Sequence, residues 1–171
     1  MPFAYYDRLT LSQRRVYRQS DDIASVPIPH GVELRPLVDA VAEALAAEDR
    51  ARLQTAADRL LAEITARLHV PPLRTRVLAV RPTYRWGELH GLYNGASGGR
   101  VARVSVWMRT AQRHQVVKFR SFLRTLLHEL CHHLDYELLA LPDSFHTEGF
   151  YKRESSLLRQ LAPSTGGAEA S

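Results

Sequence analysis

Apolar residues recur every three or four positions along three stretches of this chain, and alternate singly along another. From Arg35 to Ala47 they are Leu37, Val38, Val41 and Leu45, which predicts an amphipathic helix. A second helix follows to Leu68, with Asp49 as its cap and Leu53, Ala57, Leu60, Leu61, Ile64 and Leu68 as its stripe, until Pro71-Pro72 stops it. The third stretch, Lys118–Leu139, sets Phe119, Leu123, Leu126, Leu130 and Leu134 on one face, and Pro142 ends it. Thr10-Leu-Ser-Gln13 has the form of a capping box and predicts a short helix from Leu11 to Gln19. Asp21 to Gly31, with Pro27 and Pro29, reads as a connector, and Phe145 to Leu161 as a last helix.

The period changes after Leu73. Arg74–Val80 reads as a strand, and Glu88–Asn94 and Arg100–Arg109 as two more, joined by Gly95-Ala-Ser-Gly-Gly99 in a hairpin. In the last of these, Ala102, Val104, Val106 and Met108 are expected to face the core, with Arg103, Ser105, Trp107 and Arg109 facing solvent or a partner. The expectation is one α+β domain over residues 1–171. It has N-terminal helices and a small antiparallel sheet packed on the Lys118–Leu139 helix. Residues 1–31 form an N-terminal extension and 162–171 a flexible tail.

The long helix carries the chemistry. It contains His128-Glu-Leu-Cys-His132, and residues four apart stand about 40° apart on one helix face. Two imidazoles in that arrangement can bind one tetrahedral Zn²⁺ and leave positions for a third protein ligand and a water. Glu129, about 100° round from His128, is free to serve as base for that water. Ser121, Thr125, Asp135 and Leu139 flank the histidine face, and Asp135 suits a role orienting a histidine. His133 points away, about 140° from His128. Cys131 reads as a small packed residue.

Charge adds a second theme. Ten Arg and one Lys stand against one acid, Glu88, between Arg74 and Arg124, a balance of +10 in a chain whose net charge is +5. The other 120 residues therefore carry −5, and an arginine-rich composition alone does not remove acids from the middle third. A single cysteine excludes an intramolecular disulfide and any cysteine-based zinc module. No membrane-spanning run and no signal-peptide pattern are visible, so a cytoplasmic location is expected.

A catalytic zinc needs a third ligand from outside the helix. His146, fourteen residues past His132 and beyond the Leu141-Pro142 turn, is the first candidate, with Glu148 and Glu154 as rivals. Here the chain resembles the SprT-like, or Spartan-type, metalloproteases. Leu126-Leu-His-Glu-Leu-Cys-His132 is similar to that family's metal helix, and Phe145-His-Thr-Glu-Gly-Phe-Tyr-Lys152 to its second motif, a His-Gly-x-x-aromatic segment with the third ligand. The family's glycine after the third histidine is Thr147 here; a glycine follows at Gly149, and Phe150 keeps the aromatic spacing. The resemblance spans roughly Tyr84–Leu161. It implies a zincin-like fold, zinc on His128, His132 and His146, and Glu129 as general base.

The resemblance also implies an association with DNA, with some family members degrading proteins crosslinked to it. A protein substrate is the first expected partner and single-stranded DNA the second, contacted by Arg103, Trp107 and Arg109: arginine neutralises phosphate and an aromatic ring stacks an unpaired base. Tyr151, Tyr136 and His114 are candidate oxyanion donors, and the second hairpin strand is a candidate to pair with an extended substrate. Two other readings stay open: a cytoplasmic zincin that cuts one regulatory protein without DNA, and a non-enzymatic DNA-binding module around a structural metal.

Overall fold

The computed structural model describes residues 1–163. After a 3-10 turn at Ala4–Arg8, helix α1 (Leu11–Asp21) starts on the predicted capping box: the Thr10 hydroxyl accepts from Gln13 N–H, and the Gln13 side chain accepts from Thr10 N–H. Helices α2 (Arg35–Ala46) and α3 (Arg50–Arg67) fall where the apolar stripes put them, with the Asp49 side chain capping α3 through Arg52 N–H. Leu53, Ala57, Leu60, Leu61 and Ile64 are fully buried along α3. The fold is α+β, with five α-helices, a three-stranded sheet and a two-stranded ribbon among the described residues.

The main sheet has the order β1 (Leu73–Val80), β5 (Ala102–Arg109), β4 (Gly91–Asn94). It is mixed, not purely antiparallel as expected. β4 and β5 form the predicted hairpin, but β1 lies parallel to β5, with Leu73 beside Ala102 and Val80 beside Arg109. Strand pattern reports which face is buried and says nothing of pairing direction; the crossover between β1 and β5 sets that. Part of the crossover is a ribbon of β2 (Thr83–Tyr84) and β3 (Gly87–Glu88), which takes Glu88 out of the strand predicted from Glu88 to Asn94.

The sheet's two outer edges differ. On β1, Thr75 N–H donates to Asp58 Oδ1 and Val77 N–H to Gln54 Oε1, so side chains of α3 close that edge. On β4, no strand among the described residues pairs with the outer edge.

Helix α4 (Phe119–Glu137) crosses the sheet, burying Phe122, Leu123, Leu126, Leu127, Leu130 and Leu134. It ends before Pro142, at a reversal in which Ala140 takes a left-handed φ of 53° and Leu141 N–H donates to Asp135 O. The chain returns without regular secondary structure, and α5 (Glu148–Leu161) begins three residues later than predicted. Its cap is Thr147, whose hydroxyl accepts from Phe150 N–H and contacts Ser20 Oγ at 2.9 Å. Phe145 and His146 are thereby left outside the helix.

Gly149 packs α5 against the end of α1: a Cβ there would stand 2.5 Å from Ser20 O and 2.6 Å from Asp21 O. Beneath this contact Arg153, 1% exposed, pairs with the fully buried Asp135 at 3.1 Å and donates to Ser20 O and Ile23 O. No helix of the described residues is long and apolar enough to cross a membrane. Of the expected tail, Ala162 and Pro163 follow α5, and 164–171 lie outside the described residues.

Candidate metal centre

The one-turn spacing on α4 and the return after Ala140 bring three imidazoles together. His128 Nε2 lies 3.2 Å from His146 Nε2, which lies 3.0 Å from His132 Nε2. Among the described residues this is the one group of three or more potential ligands that can hold a metal ion, all its ligand atoms within 4.8 Å of one another. Ligand nitrogens about 2.0–2.1 Å from a tetrahedrally held zinc stand about 3.4 Å apart, so the spacing fits a small divalent ion.

The donor set supports the same fit. His132 Nδ1 is 2.7 Å from Ser144 Oγ, and that hydroxyl donates to Asp135 Oδ2, so it accepts from His132. His128 Nδ1 is 3.1 Å from Glu154 Oε1, a carboxylate that only accepts. Both rings thus carry their proton on Nδ1 and turn an Nε2 lone pair to the centre. The His128 and His132 lone pairs both turn toward the His146 ring, an arrangement that a shared cation satisfies.

Burial lowers the pKa of His146, helped by His128; burial together with His128 and His146 pushes His132 down to about 3. Neutral imidazoles are the form that binds metal.

Glu129 lines the cleft with the triad. Burial, with Glu154 adding to it and His128 opposing it, pushes its carboxyl up to about 7. It needs Gly91 opposite, because a Cβ at Gly91 would stand 2.9 Å from Glu129 Oε1. The cleft measures about 700 Å³ and is walled by β4 on one side, with Trp86 and Tyr136 in its lining. Phe150 packs beneath the histidines, its ring centroid 4.8–5.1 Å from all three.

The other expectations divide. Of the rival ligands, Glu154 orients His128 through Nδ1, and Glu148 sits exposed in the first turn of α5 beside Lys152. Asp135 acts on His132 as expected, but through Ser144, which sequence reasoning missed for want of any motif. Gly91 was also missed, since no turn or left-handed backbone flags it. His133 is fully buried away from the cleft, and Cys131 is buried with its thiol pushed well up by burial. Among the oxyanion candidates, Tyr136 lines the cleft and the Tyr151 ring lies 5.8 Å from His146, whereas His114 is not in the cleft lining.

The proposed nucleic-acid residues differ in exposure. Arg103 is exposed beside Arg74, but Trp107 is only 8% exposed and cannot present a ring to a base. As the middle strand, β5 has neighbours on both sides, and Leu78 sits beside Trp107 in register. Arg109 pairs with Glu48 at 2.6 Å and donates to His114 O. The middle position also removes β5 as a strand for substrate pairing; the free edge belongs to β4.

Comparison of the chain with family models, with curated proteins and with solved structures gives no match.

Proposed function

We propose that this chain is a zinc-dependent metallopeptidase of zincin-like, SprT-like type that hydrolyses peptide bonds in extended protein segments. One observation carries the reading: three imidazole nitrogens converge beside a buried carboxylate, in a cleft bordered by a strand edge that no strand among the described residues pairs with. His128, His132 and His146 would hold the zinc, which when bound would supply Lewis acidity for peptide hydrolysis. Glu154 and Ser144 keep two of the imidazoles in the tautomer that ligates.

Glu129, with its carboxyl raised toward neutrality, takes the proton of the attacking water and returns it to the leaving amine. The outer edge of β4 offers backbone N–H and C=O groups to an extended substrate. Tyr136 and Tyr151 are our candidates for the oxyanion donor. A set of three ligands among the described residues leaves a coordination position open, which favours this reading over a closed structural metal. The free, buried Cys131 suits a reducing compartment, and we place the protein in the cytoplasm.

DNA-associated proteins are the substrates we favour. Support comes from a second concavity of about 1020 Å³ whose lining includes Arg74, Arg100 and Arg103 and no acid. The test is proteolysis of an unfolded protein by zinc-loaded wild type and by Glu129→Gln, with and without single-stranded DNA. Wild type is expected to cleave, faster with DNA and less so as salt rises, and the variant to lose about 10²–10⁴-fold in rate. Equal cleavage by the variant overturns the role of Glu129. Cleavage indifferent to DNA and salt leaves the DNA-independent protease.

A further inference from the structure

His146 is held differently from the other two histidines. They ride on α4, whereas His146 sits outside any helix or strand, in a tight turn before the Thr147 cap closed by Thr147 N–H to Phe145 O at 2.9 Å, and is exposed. Among the described residues the His146 ring makes hydrogen bonds only through Nε2, so no partner on Nδ1 orients it. Its backbone is tied instead. The Tyr5 hydroxyl donates to the His146 carbonyl oxygen at 2.8 Å, across 141 positions of sequence.

The segment that carries Tyr5 is clasped by aromatic contacts. Tyr5 meets Tyr17 edge-on at 5.7 Å, Tyr17 lies 6.3 Å from Phe145, and Phe3 meets Tyr151 edge-on at 6.2 Å. Phe3 N–H also donates to the Tyr17 hydroxyl at 2.9 Å.

We infer that the segment Phe3–Tyr6 is a strap that positions the third metal ligand, and that Tyr5 is its positioning residue. The inference rests on the metal-site reading. A ligand in a short turn outside any helix has more backbone freedom to lose on binding than one on a helix, and the strap removes part of that freedom before the ion arrives. The sequence hid this because the α1 region carries no ligating or catalytic residue of its own.

Tyr5→Phe keeps the ring and deletes only the hydroxyl. Tyr6→Phe is its control, since the Tyr6 hydroxyl is buried in the same 3-10 turn with no hydrogen-bond partner among the described residues. The experiment titrates metal-free full-length protein with Co²⁺ and follows its d–d absorption. Wild type and Tyr6→Phe are expected to take up one ion with the same affinity and band shape. Tyr5→Phe is expected to bind about 3- to 10-fold more weakly with an altered band, the cost of one hydrogen bond. A merely structural role would lower the metal-free melting temperature and leave affinity and band unchanged. Wild-type affinity and spectrum in Tyr5→Phe, or an equal loss in Tyr6→Phe, overturns the strap. A wild-type protein that takes up no cobalt overturns the metal site and the strap together.

Discussion

His132 and His133 are neighbours on one helix and hold opposite tautomers. His133 sits between the Tyr93 hydroxyl, 2.8 Å from Nδ1, and the Pro71 carbonyl oxygen, 2.8 Å from Nε2. The carbonyl can only accept, so Nε2 carries the proton, and the Nδ1 lone pair is taken by the Tyr93 hydroxyl. Burial, together with Glu137 and Tyr136, pushes Tyr93 up to about 12, which keeps it a donor. His132 has its proton on Nδ1, facing Ser144, and leaves the Nε2 lone pair to the cleft. A histidine becomes a ligand where one nitrogen is satisfied and the other is not. One helical step of about 100° decides which case applies, by turning one ring toward the cleft and the next into packed structure.

The largest effect should separate the two residues. His132→Ala is expected to abolish stoichiometric zinc binding, because two ligands in place of three forfeit most of the affinity, and to change the metal-free melting temperature little. His133→Ala is expected to retain one zinc per chain and to destabilise the fold by about 2–4 kcal/mol, through a buried cavity and two unpaired polar groups. Metal analysis and thermal melts of both variants are the measurements. Zinc loss in His133→Ala comparable to that in His132→Ala would erase the distinction.

How much of this was legible beforehand depends on whether a feature is local. The caps at Thr10 and Asp49, the stripes of α2, α3 and α4, and the histidine face were readable because helical period and capping act within a few residues. The direction of β1 against β5 was not, since it depends on how a crossover folds. Trp107 shows the limit of alternation: the pattern predicted that it and Ser105 would face solvent, whereas each is only 8% exposed, because burial depends on neighbours in a sheet. Glu154 has the chemistry of a ligand, and only three dimensions reveal that it faces His128 Nδ1. Thr147 and Gly149, which depart from the expected motif, are explained by the α5 cap and by the approach of Ser20 and Asp21.

The same contrast extends to the two carboxylates of α4. Asp135 accepts from Ser144 and Arg153, whereas nothing among the described residues donates a hydrogen bond to Glu129. Burial raises Glu129 from 4.5 to about 7. A raised folded-state pKa gives stability that is fully present below the unfolded value and lost as pH rises through the folded one. Metal-free wild type should therefore lose up to about 3 kcal/mol between about pH 4.5 and pH 7 from this group, a loss that Glu129→Gln escapes. The variant should be the more stable at pH 8, the gap closing as pH falls toward about 4.5. His132, which loses stability on acidification, is common to both proteins and cancels in the difference. Denaturant titrations across pH provide the check, and a gap independent of pH would mean that the Glu129 carboxylate is not desolvated in the metal-free cleft.

The smallest effect tests the link that makes His132 differ from His133. Ser144 is the one residue between His132 and the buried Asp135–Arg153 pair, and its hydroxyl sets direction by donating to Asp135 and so accepting from His132. In Ser144→Ala the Nδ1 proton loses its acceptor, the ring can turn, and the Nε2-protonated tautomer becomes accessible. Zinc must then displace that tautomer, so affinity should fall by about 10- to 100-fold with one ion per chain retained. Ser144→Thr keeps the hydroxyl and should recover most of the loss, which separates hydrogen bonding from packing. Chelator competition gives the affinities. If Ser144→Ala binds zinc as wild type does, the tautomer is fixed by the cleft itself, and the difference between the two histidines reduces to the direction each ring faces.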